Sequence, residues 1–141
     1  MGTILENLDD HEGYADRRLP DGRLAGGVWS RDTLDWTGYV AACGCGWHGT
    51  VDWSPTDAGE EFAVDQWRWA HAEPLLQQQA ERRRGELTRV LGWLGTQADQ
   101  FEDPAGLERI SRAVDHARQL VDHLQRDLQR QAPQREANRE R

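Results

Sequence analysis

The chain has 141 residues, 37% of them hydrophobic, with 25 acidic side chains against 17 basic ones and a formal charge of −8. Every basic residue is an arginine, which excludes Schiff-base chemistry, a P-loop lysine and a lysine general base. The acidic balance argues against a protein that coats DNA, because affinity for the phosphate backbone comes from cationic side chains.

Charge and aromatic residues are unevenly placed. Residues 1–72 hold 13 acids and 5 arginines, whereas residues 73–141 hold 12 of each. Six of the seven tryptophans lie between Trp29 and Trp69, and both cysteines lie in the same stretch. The shift sets a boundary near Glu73-Pro74. Four segments follow: a loop arm over 1–25, a Trp-rich zinc-binding module over 26–73, a helical hairpin or coiled coil over 74–131, and a disordered tail over 132–141. The expected fold class is α+β. A small antiparallel hairpin or three-stranded sheet plus a helix, stapled by zinc, precedes an antiparallel helical hairpin.

Along the chain, Pro20-Asp21-Gly22 is a turn signal within the loop arm. Gly26 to Ser30 is read as opening a strand, and Arg31-Asp32-Thr33 as turning the chain. Leu34 to Ala42 is rich in the Trp, Thr, Tyr and Val that favour strands. Gly44 and Gly46 bracket Cys45 as a tight turn requires. Residues 47–53 then alternate, with Trp47, Gly49, Val51 and Trp53 on one side and His48, Thr50 and Asp52 on the other.

Ser54-Pro55-Thr56-Asp57 reads as a helix start with Ser54 as N-cap. Phe62, Ala63, Trp67 and Ala70 are expected to face inward, and the helix to end or kink before Pro74. A helical stripe through Leu76, Ala80, Leu87, Val90 or Leu91, Leu94, Ala98 and Phe101 follows. Glu102-Asp103-Pro104 breaks it, with Asp103 as the next N-cap. The last helix carries Leu107, Ile110, Val114, Ala117, Val121, Leu124 and Leu128 in steps of three and four, a coiled-coil seam. Glu108 to Arg112 and Asp122 to Arg126 are ion pairs in the favourable order.

Cys43-Gly44-Cys45-Gly46-Trp47-His48 is the sharpest local feature. Two thiols one residue apart on a glycine-rich turn can point at one ion, and His71 near the end of the following helix supplies a third donor, the logic of a structural zinc site. The fourth ligand is His11 or His48. His11 is favoured, because a ligand there would tie down the loop arm, and the strand alternation turns His48 towards solvent. The plain alternative is two reduced cysteines in a turn with His71 an ordinary helix-end histidine. A third is thiol–disulfide exchange. Seventy residues with so few Leu, Ile and Val need a staple, which favours the metal.

The tryptophans read mainly as core and its edge rather than a stacking platform, with either Trp67 or Trp69 left partly exposed. Asp57, Glu60, Glu61 and Asp65 read as the solvated face of their helix rather than as paired catalytic acids. Arg82-Arg83-Arg84 is the one basic cluster. With Trp67 and Trp69 it is the set assigned to partner binding.

Trp36-Thr37-Gly38-Tyr39-Val40, then Cys43-Gly44-Cys45-Gly46-Trp47-His48-Gly49, then Trp67 and His71-Ala72-Glu73-Pro74-Leu75 resemble a pattern in small actinobacterial proteins of unassigned function. Those carry C-x-C-G-W-x-G, an acidic helix and W-x-x-x-H-x-x-P-L. The resemblance covers about 40 positions and implies that the two cysteines and His71 act together, with another polar residue commonly in the place of His48. It implies no activity.

The sequence thus leads to a non-enzymatic interaction or regulatory protein. It would carry a structural zinc held by Cys43, Cys45, His71 and His11, and meet a protein partner or itself through the 107–128 seam. The alternatives are a nucleic-acid-associated regulator, using Arg82 to Arg84 with Arg135, Arg139 and Arg141 but disfavoured by charge, and a C-x-C thiol oxidoreductase. No apolar run reaches the ~20 residues that span a bilayer. Residues 1–10 lack a basic and an apolar signal region, so a cytoplasmic protein is expected.

Overall fold

Gly13–Arg18 (β1), Gly38–Cys43 (β2) and His48–Trp53 (β3) form one antiparallel sheet in the order β1-β2-β3. The structure is a computed structural model and describes residues 2–5, 8–30, 35–97 and 103–139. After the sheet come the helices Asp57–Trp67 (α1), Glu73–Gly95 (α2) and Pro104–Arg139 (α3), with a π-helical segment at Arg68–Ala72. This is the α+β class expected. The chain divides into two compact units, Met1–Leu76 and Gln77–Arg141, a few residues beyond the composition shift at Glu73-Pro74.

β2 is the central strand and all six of its residues are buried. Its Tyr, Val and Ala side chains suit a strand covered on both faces. β3 keeps the alternation read from its sequence at Gly49 and Trp53, which are half-buried, but Val51 is 41% exposed.

The first strand lies elsewhere than expected. It forms at Gly13–Arg18, inside the stretch read as a loop arm, and the stretch read as a strand from Gly26 forms none. Gly26 and Gly27 have φ of 73° and 75°, a left-handed pair that no strand accommodates. Asp16 explains the exchange. Its fully buried carboxylate accepts the backbone N–H groups of Arg17 at 2.9 Å and of Gly26 and Gly27 at 3.1 Å. A buried carboxylate satisfied by three N–H donors locks the glycine turn against β1. Beside it, the Arg17 guanidinium lies between Trp29 and Trp36, 3.7 and 3.8 Å from their ring centroids. The turn expected at Arg31-Asp32-Thr33, the strand residue Leu34, and Ala98, Phe101 and Glu102 lie outside the described residues.

α1 starts two residues later than its sequence signal. Thr56, not Ser54, is the N-cap, and its hydroxyl accepts the Gly59 N–H at 3.2 Å. Ser54 instead bonds the Thr56 hydroxyl at 2.8 Å. The buried face is Gly59, Ala63, Gln66 and Trp67. Phe62, expected inward, is 54% exposed because it lies just off that stripe, where it packs on Trp53 with ring centroids 5.4 Å apart. Gln66 accepts the Trp53 indole N–H at 2.9 Å.

The helix widens before Pro74 rather than ending. Pro74 has no N–H, and its ring crowds the carbonyl four residues back. Across Arg68–Ala72 the backbone takes a π turn, in which the Glu73 N–H donates to the Arg68 carbonyl five residues back.

Two small cores hold the first unit: Leu8, Ala41, Cys43, Trp67 and Ala72 in one, and Ala15, Tyr39 and Ala63 in the other. Gly13 is the tightest position beside them, because a Cβ there would overlap the Trp67 indole. Gly13→Ala is therefore expected to cost about 1–3 kcal/mol as an overpacked site. Urea denaturation followed by tryptophan emission checks this; a midpoint equal to wild type refutes it.

In the second unit, Arg83 bonds Asp127 at 3.1 Å and Glu86 contacts His116 at 2.8 Å, so α2 and α3 lie side by side and antiparallel. Asp103 caps α3, accepting the Ala105 N–H at 3.2 Å, with Pro104 as the first helical residue. Helical backbone continues to Arg139, past the point where a disordered tail was expected. Glu108 pairs with Arg112, whereas Arg126 reaches the backbone carbonyl of Asp122 at 3.4 Å and not its carboxylate. The face of α3 turned inward carries Gly106, Ala117, Leu120 and Asp127. Leu107, Val114, Val121 and Leu128 of the predicted seam are 36–49% exposed. The apolar arc of α3 is wider than one neighbouring helix covers: Ala117 of the expected seam is buried and Ile110 and Leu124 are half-buried, while at the alternate positions Gly106, Leu120 and Asp127 turn inward in place of Leu107, Val121 and Leu128.

Candidate metal centre

Three parts of the first unit converge on one place. The end of β2 supplies Cys43 and the four-residue turn before β3 supplies Cys45. The Cys43 N–H donates to the Trp47 carbonyl and the Gly46 N–H to the Cys43 carbonyl, both at 2.9 Å. Gly46 closes the turn with φ of 96°, which favours glycine. The stretch before β1 supplies His11. Thr3 and Gly13 exchange two backbone hydrogen bonds, Leu8 is 1% exposed in the core, and the His11 N–H donates to the Leu8 carbonyl at 2.8 Å. The Gly44 N–H, donating to the Glu12 carbonyl at 2.8 Å, ties this stretch to the cysteine turn. The π segment supplies His71, whose ring stacks on Trp47 with centroids 4.7 Å apart and planes 12° apart.

His11, Cys43, Cys45 and His71 each offer one donor atom, and these four atoms all lie within 4.8 Å of one another. His11 Nδ1 and His71 Nε2 are 3.3 Å apart, Cys43 Sγ is 3.7 Å from His11 Nδ1, and Cys45 Sγ is 3.3 Å from His71 Nε2. Tetrahedral zinc with Zn–S near 2.3 Å and Zn–N near 2.0–2.1 Å places its donors about 3.3–3.8 Å apart. The group is thus close enough to hold one metal ion, and both cysteines are free thiols. Of the two histidines weighed for the fourth place, His11 is in the group; His48 is exposed on β3 and is not.

Burial pushes the Cys43 thiol above its ordinary pKa, and the nearby Cys45 adds to the rise. The Cys45 backbone N–H and the Trp67 indole pull it back down. Trp67 Nε1 is buried without a hydrogen-bond partner that meets normal geometry. An orphaned N–H beside sulfur is satisfied when that sulfur becomes a metal-bound thiolate, the better acceptor, so this donor fits a bound ion. Burial, then the neighbouring His11, hold the His71 pKa below its ordinary value. Its ring is neutral at physiological pH, the form that ligates metal.

The residues assigned to partner binding fare differently. Trp67 is fully buried and packs beneath the site, because its indole fills the space left by Gly13; it offers no surface to a partner. Trp69 is 58% exposed. Arg82 and Arg84 are exposed, but Arg83 is half-buried in its ion pair with Asp127. Asp57, Glu60, Glu61 and Asp65 line a shallow hollow of α1 with Val64 and Arg68, and Asp65 pairs with Arg68 at 3.2 Å. The sequence reading missed the parts played by Trp67 and Trp47. Trp67 precedes His71 by four residues, one helical turn, so its place beside the site was open to inspection. Among the described residues no helix is long and apolar enough to cross a membrane. Comparisons with protein-family models, with curated proteins and with solved structures found nothing that matches this chain.

Proposed function

We propose that this protein is a non-enzymatic interaction protein whose first unit is stapled by one structural zinc ion on His11, Cys43, Cys45 and His71. The observation that carries the reading is the convergence of two thiols and two imidazoles, from three separate stretches of chain, with their donor atoms all within 4.8 Å of one another. Four protein donors fill the coordination shell, the mark of a structural rather than a catalytic zinc site, which keeps a position open. Thiolate and imidazole donors select zinc over magnesium or calcium. The charge-balanced helical unit is the part left for docking or self-association.

Native mass spectrometry of protein purified without a histidine tag tests the reading. One zinc per chain is expected; a metal-free chain that is nevertheless folded refutes it. The site also fixes a pH dependence. Binding must displace a proton from the Cys43 thiol, whose pKa burial raises, while the lowered pKa of His71 favours the neutral ring that ligates metal. Between about pH 6.5 and 8.5 affinity is expected to fall about 10-fold for each unit of acidification, as the Cys43 proton competes with the ion. Competition with a chelating dye across that range reads it directly. An affinity independent of pH would exclude thiolate ligation.

A further inference from the structure

Two helices side by side form one layer, and a stable domain needs at least two. In the second unit Ala80, Ala117 and Leu120 are the apolar side chains that are buried among the described residues. Meanwhile Leu107 at 44%, Val114 at 36%, Val121 at 39% and Leu128 at 49% stand exposed in a row along α3, seven residues apart. They sit one position after Gly106, Ala113, Leu120 and Asp127, which are buried or half-buried, with Asp127 bonded to Arg83 of α2. On α2, exposed Leu91 likewise sits one position after the half-buried Val90. In an antiparallel pair that offset turns both sets to the same side.

We propose that this side is closed by a second copy of the same chain, giving an antiparallel four-helix bundle with the Leu107, Val114, Val121 and Leu128 row at a two-fold axis. The inference deepens the interaction-protein reading and rests on it. The row itself argues for self-pairing, because it is a palindrome: Leu, Val, Val, Leu at equal spacing. An antiparallel copy related by an axis between residues 117 and 118 sets Leu107 against Leu128 and Val114 against Val121 of the second copy. A two-fold interface needs this self-complementarity, and an unrelated partner does not. Charge agrees. Arg118, beside the row, then falls at a level between the second copy's Asp122 and Asp115. Residues 104–130 hold 4 acids and 5 arginines, so two copies meet with little net repulsion. Size agrees too. The row spans 21 residues, about 32 Å of helix. A face two helices wide is about 18 Å across. Pairing it covers about 580 Å² on each copy, or about 1,150 Å² in total, above the ~1,000 Å² expected of a specific interface.

Sedimentation equilibrium of the full chain is the test, with metal content measured on the same sample. The wild type is expected at twice its 16.1 kDa mass. Val114→Glu with Val121→Glu is expected at the single mass with its helical circular dichroism intact, since both side chains are exposed. A wild type that stays monomeric up to sub-millimolar concentration overturns the proposal, and so does a helical double variant that remains dimeric. Should that variant lose its helix signal, Leu107→Gln with Leu128→Gln at the ends of the row decides in the same way. A monomer carrying one zinc overturns the pairing and leaves the stapled unit standing. A dimer without zinc overturns the staple and leaves the pairing.

Discussion

Cys43→Ala is expected to abolish the cooperative unfolding transition of the first unit, and chelation of the wild type to do the same. The unit spans Met1–Leu76, and its fully buried side chains are few and mostly small: Leu8, Val40, Trp67, Cys43 and several alanines. Units of this size bury too little apolar surface to offset chain entropy unaided. A structural zinc contributes roughly 10–16 kcal/mol of apparent binding energy that becomes folding energy. That matches or exceeds the whole ~5–15 kcal/mol stability of an ordinary domain. The readout should be near-ultraviolet dichroism or tryptophan emission, because α2 and α3 dominate the far-ultraviolet signal. His48→Ala is the control: exposed and outside the donor group, it should leave the transition within about 0.5 kcal/mol of wild type. A Cys43→Ala protein that unfolds at the wild-type midpoint would remove the metal from the account.

Trp67 carries the second large effect. It is fully buried, touches both Gly13 and the Cys43 core, and is the largest such side chain in the unit. Trp67→Ala is expected to cost about 3–5 kcal/mol through the cavity it leaves. Trp67→Phe separates packing from polarity. It keeps most of the ring, so the stability loss should be smaller, but it removes the N–H beside Cys43. Outer-shell donors of this kind are typically worth 10–100-fold in metal affinity. Zinc affinity should therefore drop about tenfold in the Phe variant, measured by chelator competition at fixed pH. Unchanged affinity would make Trp67 a packing residue alone.

Much of this was legible from the residues. The cysteine turn bounded by glycines and the Asp103-Pro104 helix start are local signals, and the structure keeps both; the expected helix end near His71 became a π segment instead. The choice of His11 over His48 rested on the anchoring a ligand would give the N-terminal stretch, with the strand alternation turning His48 outward. What local reading lost were features set by long-range partners. Gly13–Arg18 carries Asp16 and two arginines, and nothing nearby announces a strand; it forms because Asp16 finds the Gly26 and Gly27 amides and Arg17 finds Trp29 and Trp36. The N-cap moved to Thr56 because the Gly59 N–H meets that hydroxyl. On α3 the heptad pattern was read correctly as apolar, but a stripe of seven residues does not say which edge meets the neighbouring helix. Ile110, Ala117 and Leu124 are buried or half-buried as read, and only the alternate positions fell one residue away, where Arg83 reaches Asp127.

Cys43 and Cys45 are neighbours in the chain, whereas His11 lies 32 residues before Cys43 and His71 lies 26 residues after Cys45. An ion captured during synthesis or refolding meets two thiolates before any long loop closes, and each histidine then joins by one slow closure. An ion offered to a finished fold would meet Cys45 exposed and Cys43 buried. On the proposed zinc reading, the centre would therefore load by two routes of different speed, one limited by chain closure and the other by access to the finished fold.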